Sequence, residues 1–331
     1  MIISNLTSPL SEYFHEFVRM KRSLGYRYDS DKLYWLRAID KICTEHPGDG
    51  ICLSKQAVEE WALQKPGESV RNQQNRIRFS NELAEFLLHR NIDAHILPAK
   101  KTKFSSASSF VPYIFTHEQV RMFLQAADKH PPHRNHPISN QVYSFMFRLL
   151  YCCGLRLSEA LNLKYNDINL RTGVLTVRDG KFGKDRLVPM TDSLCQMCGD
   201  YLSLVQAHNP ENPFIFATRF SNTNAVNPRS VYEYYRKILW EAGIPHGGRG
   251  NGPRLHDFRH TFSVHCLQQW IAAGEDVYVA LPILAAYLGH DDIKITEKYL
   301  RLTAEVFPEM LQLSEAYSHT VIPEVKFYET D

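Results

Sequence analysis

The sequence predicts a mainly α-helical protein with one small β-sheet, an α+β fold divided between two domains. Its 331 residues exceed the roughly 250 at which a single hydrophobic core usually splits, so we expect two domains. Apolar residues recur at helical spacing through most of the chain, whereas residues 174–189 alternate with a period of two around a turn. That change of period predicts a β-hairpin inside an otherwise helical second domain.

Four helices are predicted in the N-terminal third. Each follows a residue that suits the start of a helix, namely Ser8, Ser30, Ser54 and Ser69. The side chains expected to be buried are Leu10, Phe14, Phe17, Val18, Leu24, Leu33, Leu36, Cys43, Val58, Trp61, Ala62, Ile77, Leu83, Phe86 and Leu87.

The fourth of these helices carries a basic cluster near its start. Arg71, Arg76 and Arg78 lie there, together with Asn75. Two interpretations stay open. The cluster is either a solvated helix face or a face that contacts the groove of a nucleic acid.

Lysines and serines replace apolar residues over residues 98–112, which are the best candidate for a linker. This linker separates a helical domain of residues 1–97 from a second domain of residues 113–302. Residues 303–331 are expected to form a C-terminal helix and tail.

The second domain is predicted to open with a helix that Thr116 and Gln119 cap as a capping box. The hairpin pairs residues 174–178 with residues 186–189. Further helices are expected at residues 143–153, 158–163, 230–242, 255–273, 281–288, 293–300 and 304–317.

Composition indicates a cytoplasmic protein. Seven cysteines, an odd and scattered number, do not suggest a disulfide framework, so a reducing compartment fits. The apolar runs are shorter than the ~20 residues of a membrane span, and no signal pattern opens the chain, so no membrane partner is expected. The net charge is +3 over residues 1–109, +4 over residues 110–302 and −5 over residues 303–331, which permits binding of nucleic acid without proving it.

Polar groups suited to phosphate chemistry gather at element ends in the second domain. Arg156 lies at a helix junction, Lys181 at the hairpin turn and His290 at a helix end. His256 and Arg259 are three residues apart and so share a helix face. Two guanidinium groups can hold the oxygens of one phosphate, while imidazole and lysine can move protons.

Four short motifs and a tyrosine follow one another in the second domain. They are Gly154-Leu155-Arg156-Leu157-Ser158-Glu159, Gly180-Lys181 with Lys184-Asp185-Arg186-Leu187-Val188-Pro189, His256-Asp257-Phe258-Arg259-His260-Thr261, Leu288-Gly289-His290, and Tyr299. In this order they make the sequence similar to the tyrosine recombinase and phage integrase family. The similarity covers most of residues 113–302, and it extends weakly to residues 1–97, which resemble the family's helical core-binding domain.

The resemblance implies a helical core-binding domain followed by a tyrosine recombinase catalytic domain. The implied activity is site-specific recombination of DNA in integration, excision or transposition. Arg156 and Arg259 would neutralise the scissile phosphate, and His256 and His290 would add hydrogen bonds to it. Lys181 would protonate the leaving 5′ oxygen.

Tyr299 is the implied nucleophile, which holds the 3′ end of the cut strand covalently. A phenol with an ordinary pKa of ~10 is mostly neutral at pH 7 and needs a base, for which His256 is the candidate. Glu159 matches an acidic position of the family and is expected to orient Arg156 or the surroundings of the tyrosine. The phosphotyrosyl linkage retains the bond energy, so we expect no cofactor, neither ATP nor a metal.

The implied partner is double-stranded DNA, enclosed by the two domains, with a homotetramer assembled on it and two protomers at each site. Sibling recombinases or DNA-bending accessory proteins are further candidate partners. The amphipathic segment 304–317 suits docking on a neighbouring protomer, and packing on its own domain stays equally open. The length of segment 275–287 and the residues 24–28 favour a transposon-borne branch of the family.

Several residues have competing interpretations. Lys184 also lies in the hairpin turn, but Lys181 is favoured as the acid because it follows a glycine as in the family, which leaves Lys184 as a phosphate contact. His260 and His265 are interpreted as packing or helix-surface histidines.

Cys195 and Cys198 have the spacing of metal ligands, but no second pair lies nearby, so core cysteines are expected. Two other classes of protein also remain in competition. One is an accessory DNA-binding protein that has lost catalysis, although no catalytic residue is missing here. The other is a type IB topoisomerase, which shares the chemistry but acts as a monomer without a specific site.

Overall fold

The computed structural model describes residues 6–26, 28, 30–98, 111–178, 180, 184–217, 224–248 and 252–306. It is mostly helical with two small sheets, which confirms the predicted fold class. The chain divides into two compact units, Met1–Ser108 and Ser109–Asp331, each with its own hydrophobic core. Most of the predicted linker, residues 99–110, lies outside the described residues.

The described part of the first unit contains four helices and a short parallel strand pair. Ser54 and Ser69 cap the third and fourth helices, as predicted, by accepting hydrogen bonds from the backbone N–H of Ala57 and Asn72. The elements are α1 (Ser11–Ser23), α2 (Ser30–Glu45), β1 (Cys52–Leu53), α3 (Lys55–Ala62), α4 (Val70–Leu88) and β2 (Asp93–Ala94).

Most of the side chains predicted to be buried in this unit lie in its core, around Phe17, Trp61 and Phe79. Leu24 is an exception and is 64% exposed, because α1 ends at Ser23 and the leucine lies beyond the buried face. Ala62 and Ile77 are only half-buried. The strand pair was not predicted, since two residues are too few to show a period.

The position of Arg76 contradicts the interpretation of this residue as part of a DNA-contacting helix face. It was grouped with DNA-contacting residues, but it is 1% exposed and lies inside the first unit. Its Nε and Nη2 donate to the Glu68 carboxylate at 2.7 and 2.6 Å, and its Nη1 donates to the carbonyl of Trp61. A guanidinium with its donors committed to buried acceptors cannot also contact a phosphate. Arg71 and Arg78, on other faces of α4, are exposed.

The second unit begins with the predicted capping box of Thr116 and Gln119, which is present at the start of the first helix. The predicted hairpin is also present, and an unpredicted third strand pairs antiparallel with it, in the order β3-β4-β5. The elements are α5 (His117–Lys129), α6 (Ser139–Cys152), α7 (Leu157–Leu161), a 3₁₀ turn (Tyr165–Asp167), β3 (Ile168–Asn169), β4 (Val174–Val177), β5 (Arg186–Pro189), α8 (Asp192–His208) and α9 (Pro228–Glu241).

Three further helices complete the described part of the second unit: α10 (Asp257–Ala272), α11 (Val277–Leu288) and α12 (Lys294–Val306). The three pack against one another around a small apolar cluster that includes Tyr299. Of the predicted helix over residues 304–317, the part after Val306 lies outside the described residues.

Cys195 and Cys198, the two cysteines with the spacing of metal ligands, contact other protein groups. Cys198 is buried in the core, and the Sγ of Cys195 donates to the carbonyl of Leu170 at 3.3 Å. Within the described ranges, no group of three or more His, Cys, Asp or Glu residues is placed to hold a metal ion. The helices in those same ranges do not combine the length and apolarity that crossing a bilayer requires.

Candidate active site

A cavity of about 240 Å³ in the second unit brings together five of the six predicted catalytic residues. The sixth, Lys181, lies outside the described residues. The residues that line the cavity are Arg156, His256, Arg259, His260, Gly289, His290, Asp291, Ile295 and Tyr299.

Helix ends place these side chains. Arg156 is the N-cap residue of α7, and His256 is the N-cap residue of α10. Gly289 ends α11 in the left-handed conformation, with φ of 69°, so that His290 leaves the helix towards the cavity. Tyr299 projects from α12. Residues distant in sequence therefore meet because four helices converge on one point.

Glu159 is a buried anion among cationic side chains. It accepts hydrogen bonds from Arg156 Nη1 at 2.6 Å and from Arg186 Nη1 and Nη2 at 3.0 and 2.8 Å. Burial raises the pKa of the carboxyl, but the hydrogen bonds from Arg186 and from the Arg156 backbone outweigh it, and the pKa falls to about 2. Glu159 therefore stays ionised and holds Arg156, as its position in the sequence suggested.

Arg259 is almost completely buried, at 1% exposure. Its Nη1 donates to the carbonyl of Gly154 at 2.6 Å, and its Nη2 donates to the carbonyl of Leu288 at 2.7 Å. Burial, followed by the neighbouring Arg156, lowers its pKa to about 10, so the guanidinium remains charged at neutral pH. The side chain is thus fixed in place before any ligand arrives.

The protonation of His290 follows from its two neighbours. Arg259 Nη2 lies 3.1 Å from His290 Nε2, and a guanidinium can only donate, so Nε2 accepts. The ring proton then belongs on Nδ1, which lies 2.9 Å from the hydroxyl oxygen of the buried Thr296 and donates to it. Thr296 had no role in the sequence-based prediction.

Tyr299 is 4% exposed, and its hydroxyl lies among the polar groups of the cavity. Its Oη is 3.1 Å from Nδ1 of His260. Burial raises the pKa of the phenol, whereas the charge of Arg259 and a hydrogen bond with Ser263 act in the opposite direction. The net pKa is raised, so the phenol is protonated in the resting protein.

His260 is the functional candidate that the sequence-based interpretation missed. It was assigned to packing or to the helix surface, and the structure corrects this by placing its ring nitrogen at the Tyr299 hydroxyl. His256 packs edge-on against the ring of His260, with 4.9 Å between ring centroids. The available signal was the spacing, since His256 and His260 are four residues apart and share a helix face.

Both imidazoles are neutral at neutral pH. Burial, with repulsion by Arg259 and Arg156, lowers the pKa of His256 to about 4. Burial, with repulsion by His256 and Arg254, lowers the pKa of His260 to about 3. The two rings are therefore available as hydrogen-bond donors or proton acceptors.

Other predicted residues are placed as follows. Lys184 is exposed, and its Nζ donates to Asp291 at 2.8 Å at the edge of the cavity. His265 is a packing residue, as predicted, because it is 4% exposed and its Nδ1 lies 2.9 Å from the hydroxyl of Tyr151.

A buried tyrosine that shares a cavity with two fixed guanidinium groups, on this fold, defines a tyrosine-type site-specific DNA recombinase. Residues 114–305, more than half of the chain, match the phage integrase family, and the chain belongs to that family.

Individual relatives agree with this assignment. The protein y4rB of Sinorhizobium fredii, named as an integrase/recombinase, is 29% identical over 93% of this chain and 98% of its own length. Tyrosine recombinase XerA of Pyrococcus furiosus is 33% identical over a match that spans 50% of this chain and 51% of the relative.

Two solved structures share the fold. The XerH recombinase in a post-cleavage complex with palindromic difH substrate has a TM-score of 0.61 at 18% identity, covering 86% of this chain and 79% of that one. The Tn1549 transposon integrase in complex with transposon right end DNA has a TM-score of 0.59 at 16% identity, covering 91% of this chain and 99% of that one.

Proposed function

We propose that this recombinase cuts one strand of duplex DNA by attack of Tyr299 on a phosphodiester, holds the 3′ end as a phosphotyrosyl ester, and rejoins it to a new 5′ hydroxyl. One observation carries the proposal. The Tyr299 hydroxyl lines the same cavity as Arg156 and Arg259, all from one chain. A single protomer can therefore supply both the nucleophile and the residues that bind the phosphate.

The two arginines would stabilise the charge that grows on the non-bridging oxygens in the transition state. Arg259 is held by two backbone carbonyls and Arg156 by Glu159, so neither side chain has to reorganise during the reaction. Removing one preorganised donor of this kind typically costs on the order of 3 kcal/mol of transition-state stabilisation.

His256 is assigned to the same phosphate, whereas His290 is assigned to holding Arg259 beside it, because its Nε2 accepts from Arg259 and its Nδ1 proton goes to Thr296. His256 lies at the N-terminus of α10, where the helix dipole disfavours an imidazolium and the neutral ring can donate an N–H. Lys181 is assigned as the acid that protonates the leaving 5′ oxygen. Lys184, paired with Asp291 at the edge of the cavity, is assigned as a contact to a backbone phosphate.

The proposed partner is double-stranded DNA, bound by a homotetramer with two protomers at each site in the cytoplasm. Residues 1–97 are assigned as the core-binding domain, where Arg71 and Arg78 are exposed on α4 and can meet phosphates. Because the phosphotyrosyl ester conserves the energy of the broken bond, the reaction needs neither ATP nor a metal. We assign the outcome to integration, excision or transposition, with sibling recombinases or DNA-bending proteins as further partners.

The test uses nicked duplexes that carry the DNA flanking the gene. We expect a covalent protein–DNA adduct in EDTA without ATP, and none with Tyr299→Phe. Arg156→Ala should still bind the duplex but lose cleavage, because contacts that position the DNA are separate from transition-state stabilisation. An adduct that persists in Tyr299→Phe would refute the nucleophile assignment.

A further inference from the structure

We propose that His260 is a further catalytic residue, which accepts the proton of the Tyr299 hydroxyl through Nδ1 as the tyrosine attacks. The inference rests on the proposed function, because it presupposes Tyr299 as the nucleophile. It replaces His256, the base expected from the sequence, with the histidine one helical turn further along α10.

Geometry supports this role. A general base must lie within about 2.6–3.2 Å of the atom that it deprotonates. The distance from His260 Nδ1 to Tyr299 Oη is 3.1 Å, and the ring centroids are 5.7 Å apart. The two residues lie on α10 and α12, which pack directly against each other, so the contact does not depend on a ligand.

The other groups identified at the hydroxyl are poorer proton acceptors. Arg259 can only donate hydrogen bonds. Ser263 also reaches the hydroxyl, but its own proton goes to the carbonyl of Arg259 at 2.8 Å, and an alcohol is a weak base. The imidazole of His260 is the basic group in this set.

The charges around His260 link its basicity to substrate binding. His256 and Arg259 face it from α10, Arg254 from the preceding segment, His290 from the end of α11 and Tyr299 from α12. Burial and the cationic groups lower its pKa to about 3, which keeps the resting ring neutral. A bound phosphodiester brings one negative charge into the cavity, offsets the arginines and raises the proton affinity of His260 at the moment of attack.

The step balances in atoms and charge. The O–H bond of Tyr299 breaks and its proton moves to Nδ1, which leaves an imidazolium. The bond between Oη and phosphorus forms while the bond from phosphorus to the 5′ oxygen breaks, and that oxygen takes a proton from the general acid. In rejoining, the imidazolium returns its proton to the departing phenolate.

The experiment uses the full chain and thymidine 3′-(4-nitrophenyl phosphate), a diester in which 4-nitrophenol replaces the 5′ hydroxyl. This leaving group departs as an anion, so the rate does not depend on the general acid or on a specific DNA site. Release of 4-nitrophenolate is followed by absorbance, and the thymidylyl adduct is located by mass spectrometry. Tyr299→Phe should form no adduct.

We expect His260→Ala to slow release at pH 7 by about 100-fold or more, within the range typical of general base catalysis. The deficit should shrink as the pH rises towards the pKa of the phenol, because tyrosinate needs no base. His260→Asn places an amide oxygen near the position of Nδ1, so it can accept the hydrogen bond but not the proton. It should remain slow. His89→Ala, at an exposed histidine of the first unit, is the matched control and should react normally.

Two results would overturn the inference alone. One is a wild-type rate in His260→Asn, which would reduce the ring to a positioning role. The other is a pH-dependent deficit in His256→Ala without one in His260→Ala. If the wild-type chain forms no adduct at Tyr299, the nucleophile assignment fails and the role of His260 fails with it.

Discussion

Glu159 and Arg186 are joined by two parallel hydrogen bonds, from Nη1 to Oε1 at 3.0 Å and from Nη2 to Oε2 at 2.8 Å. The Nε of Arg186 donates to the carbonyl of Tyr287 at 2.9 Å. One side chain of β5 thereby connects α7, whose N-cap residue is Arg156, to the end of α11, which precedes His290. The same carboxylate holds Arg156, so the position of the phosphate-binding arginine depends on this pair.

Arg186→Ala should lower the free energy of unfolding by about 3–5 kcal/mol, because it leaves the buried Glu159 carboxylate short of its bidentate partner. The measurement is urea denaturation at pH 7. Arg229→Ala is the control, since Arg229 pairs with Glu233 in the same unit but on an exposed helix face, and its loss should cost less than about 1 kcal/mol. Equal effects of the two substitutions would contradict the structural role of Arg186.

Stability should decrease in acid partly through Glu159. Its pKa is about 2 in the folded protein against an ordinary 4.5, so its contribution is present above pH 4.5 and is lost as the pH falls towards 2. The full contribution is about 3 kcal/mol, from 1.36 kcal/mol per pKa unit. Urea denaturation between pH 5 and pH 2 should show a shallower decrease for Glu159→Gln, which is less stable at pH 7. Parallel curves for the two proteins would refute the assignment.

Thr296→Val should no longer fix the ring proton of His290 on Nδ1. Valine keeps the shape of the side chain but removes the hydroxyl that accepts this proton in a hydrogen bond. We expect a loss of about tenfold in 4-nitrophenolate release, equivalent to about 1.4 kcal/mol for one buried hydrogen bond. Thr296→Ser keeps the hydroxyl and should retain most of the activity. Long-range proton–nitrogen NMR correlations should find the His290 proton on Nδ1 in the wild-type protein, and finding it on Nε2 would contradict this tautomer assignment.

Gly154→Ala should disturb the backbone at Gly154, whose carbonyl accepts a hydrogen bond from Arg259. Gly154 has φ of +56°, and an added Cβ would lie 2.6 Å from Phe262 Cδ1 and 2.9 Å from Leu288 Cδ2. Gly274, with φ of +79° and no atom within 4 Å of an added Cβ, is the matched control for backbone strain alone. Gly274→Ala should cost about 1–2 kcal/mol, and Gly154→Ala should cost a further 1–3 kcal/mol or so in urea denaturation. Equal losses of unfolding free energy in the two variants would mean that Phe262 and Leu288 shift to accommodate the added methyl group at little cost.

Arg76 and Arg78 lie two residues apart on α4 and should have opposite phenotypes. Arg76→Ala removes a buried ion pair with Glu68 and should lower the free energy of unfolding of the first unit by about 3–5 kcal/mol. Arg78→Ala should leave stability unchanged. On a duplex of arbitrary sequence, it should reduce the slope of log affinity against log salt by about 1, as measured by fluorescence anisotropy. A normal salt slope would remove Arg78 from the DNA interface.

The sequence by itself determined the fold class, the helix starts at Ser54, Ser69 and Thr116, and the hairpin. These features depend on local patterns, such as caps and the period of apolar residues, which a single chain displays directly. The motifs also led to the family and to the set that includes Arg156, Arg259 and Tyr299, because this chemistry needs particular residue types in a particular order.

Only the tertiary structure decided which of those side chains touch. Arg76 looked like part of a basic surface until the packing of α3 against α4 buried it beside Glu68. His260 looked like a packing residue until α12 brought Tyr299 to its ring. Both outcomes depend on how one helix packs against another, and the direction of a polar side chain relative to another helix leaves no periodic trace in the chain.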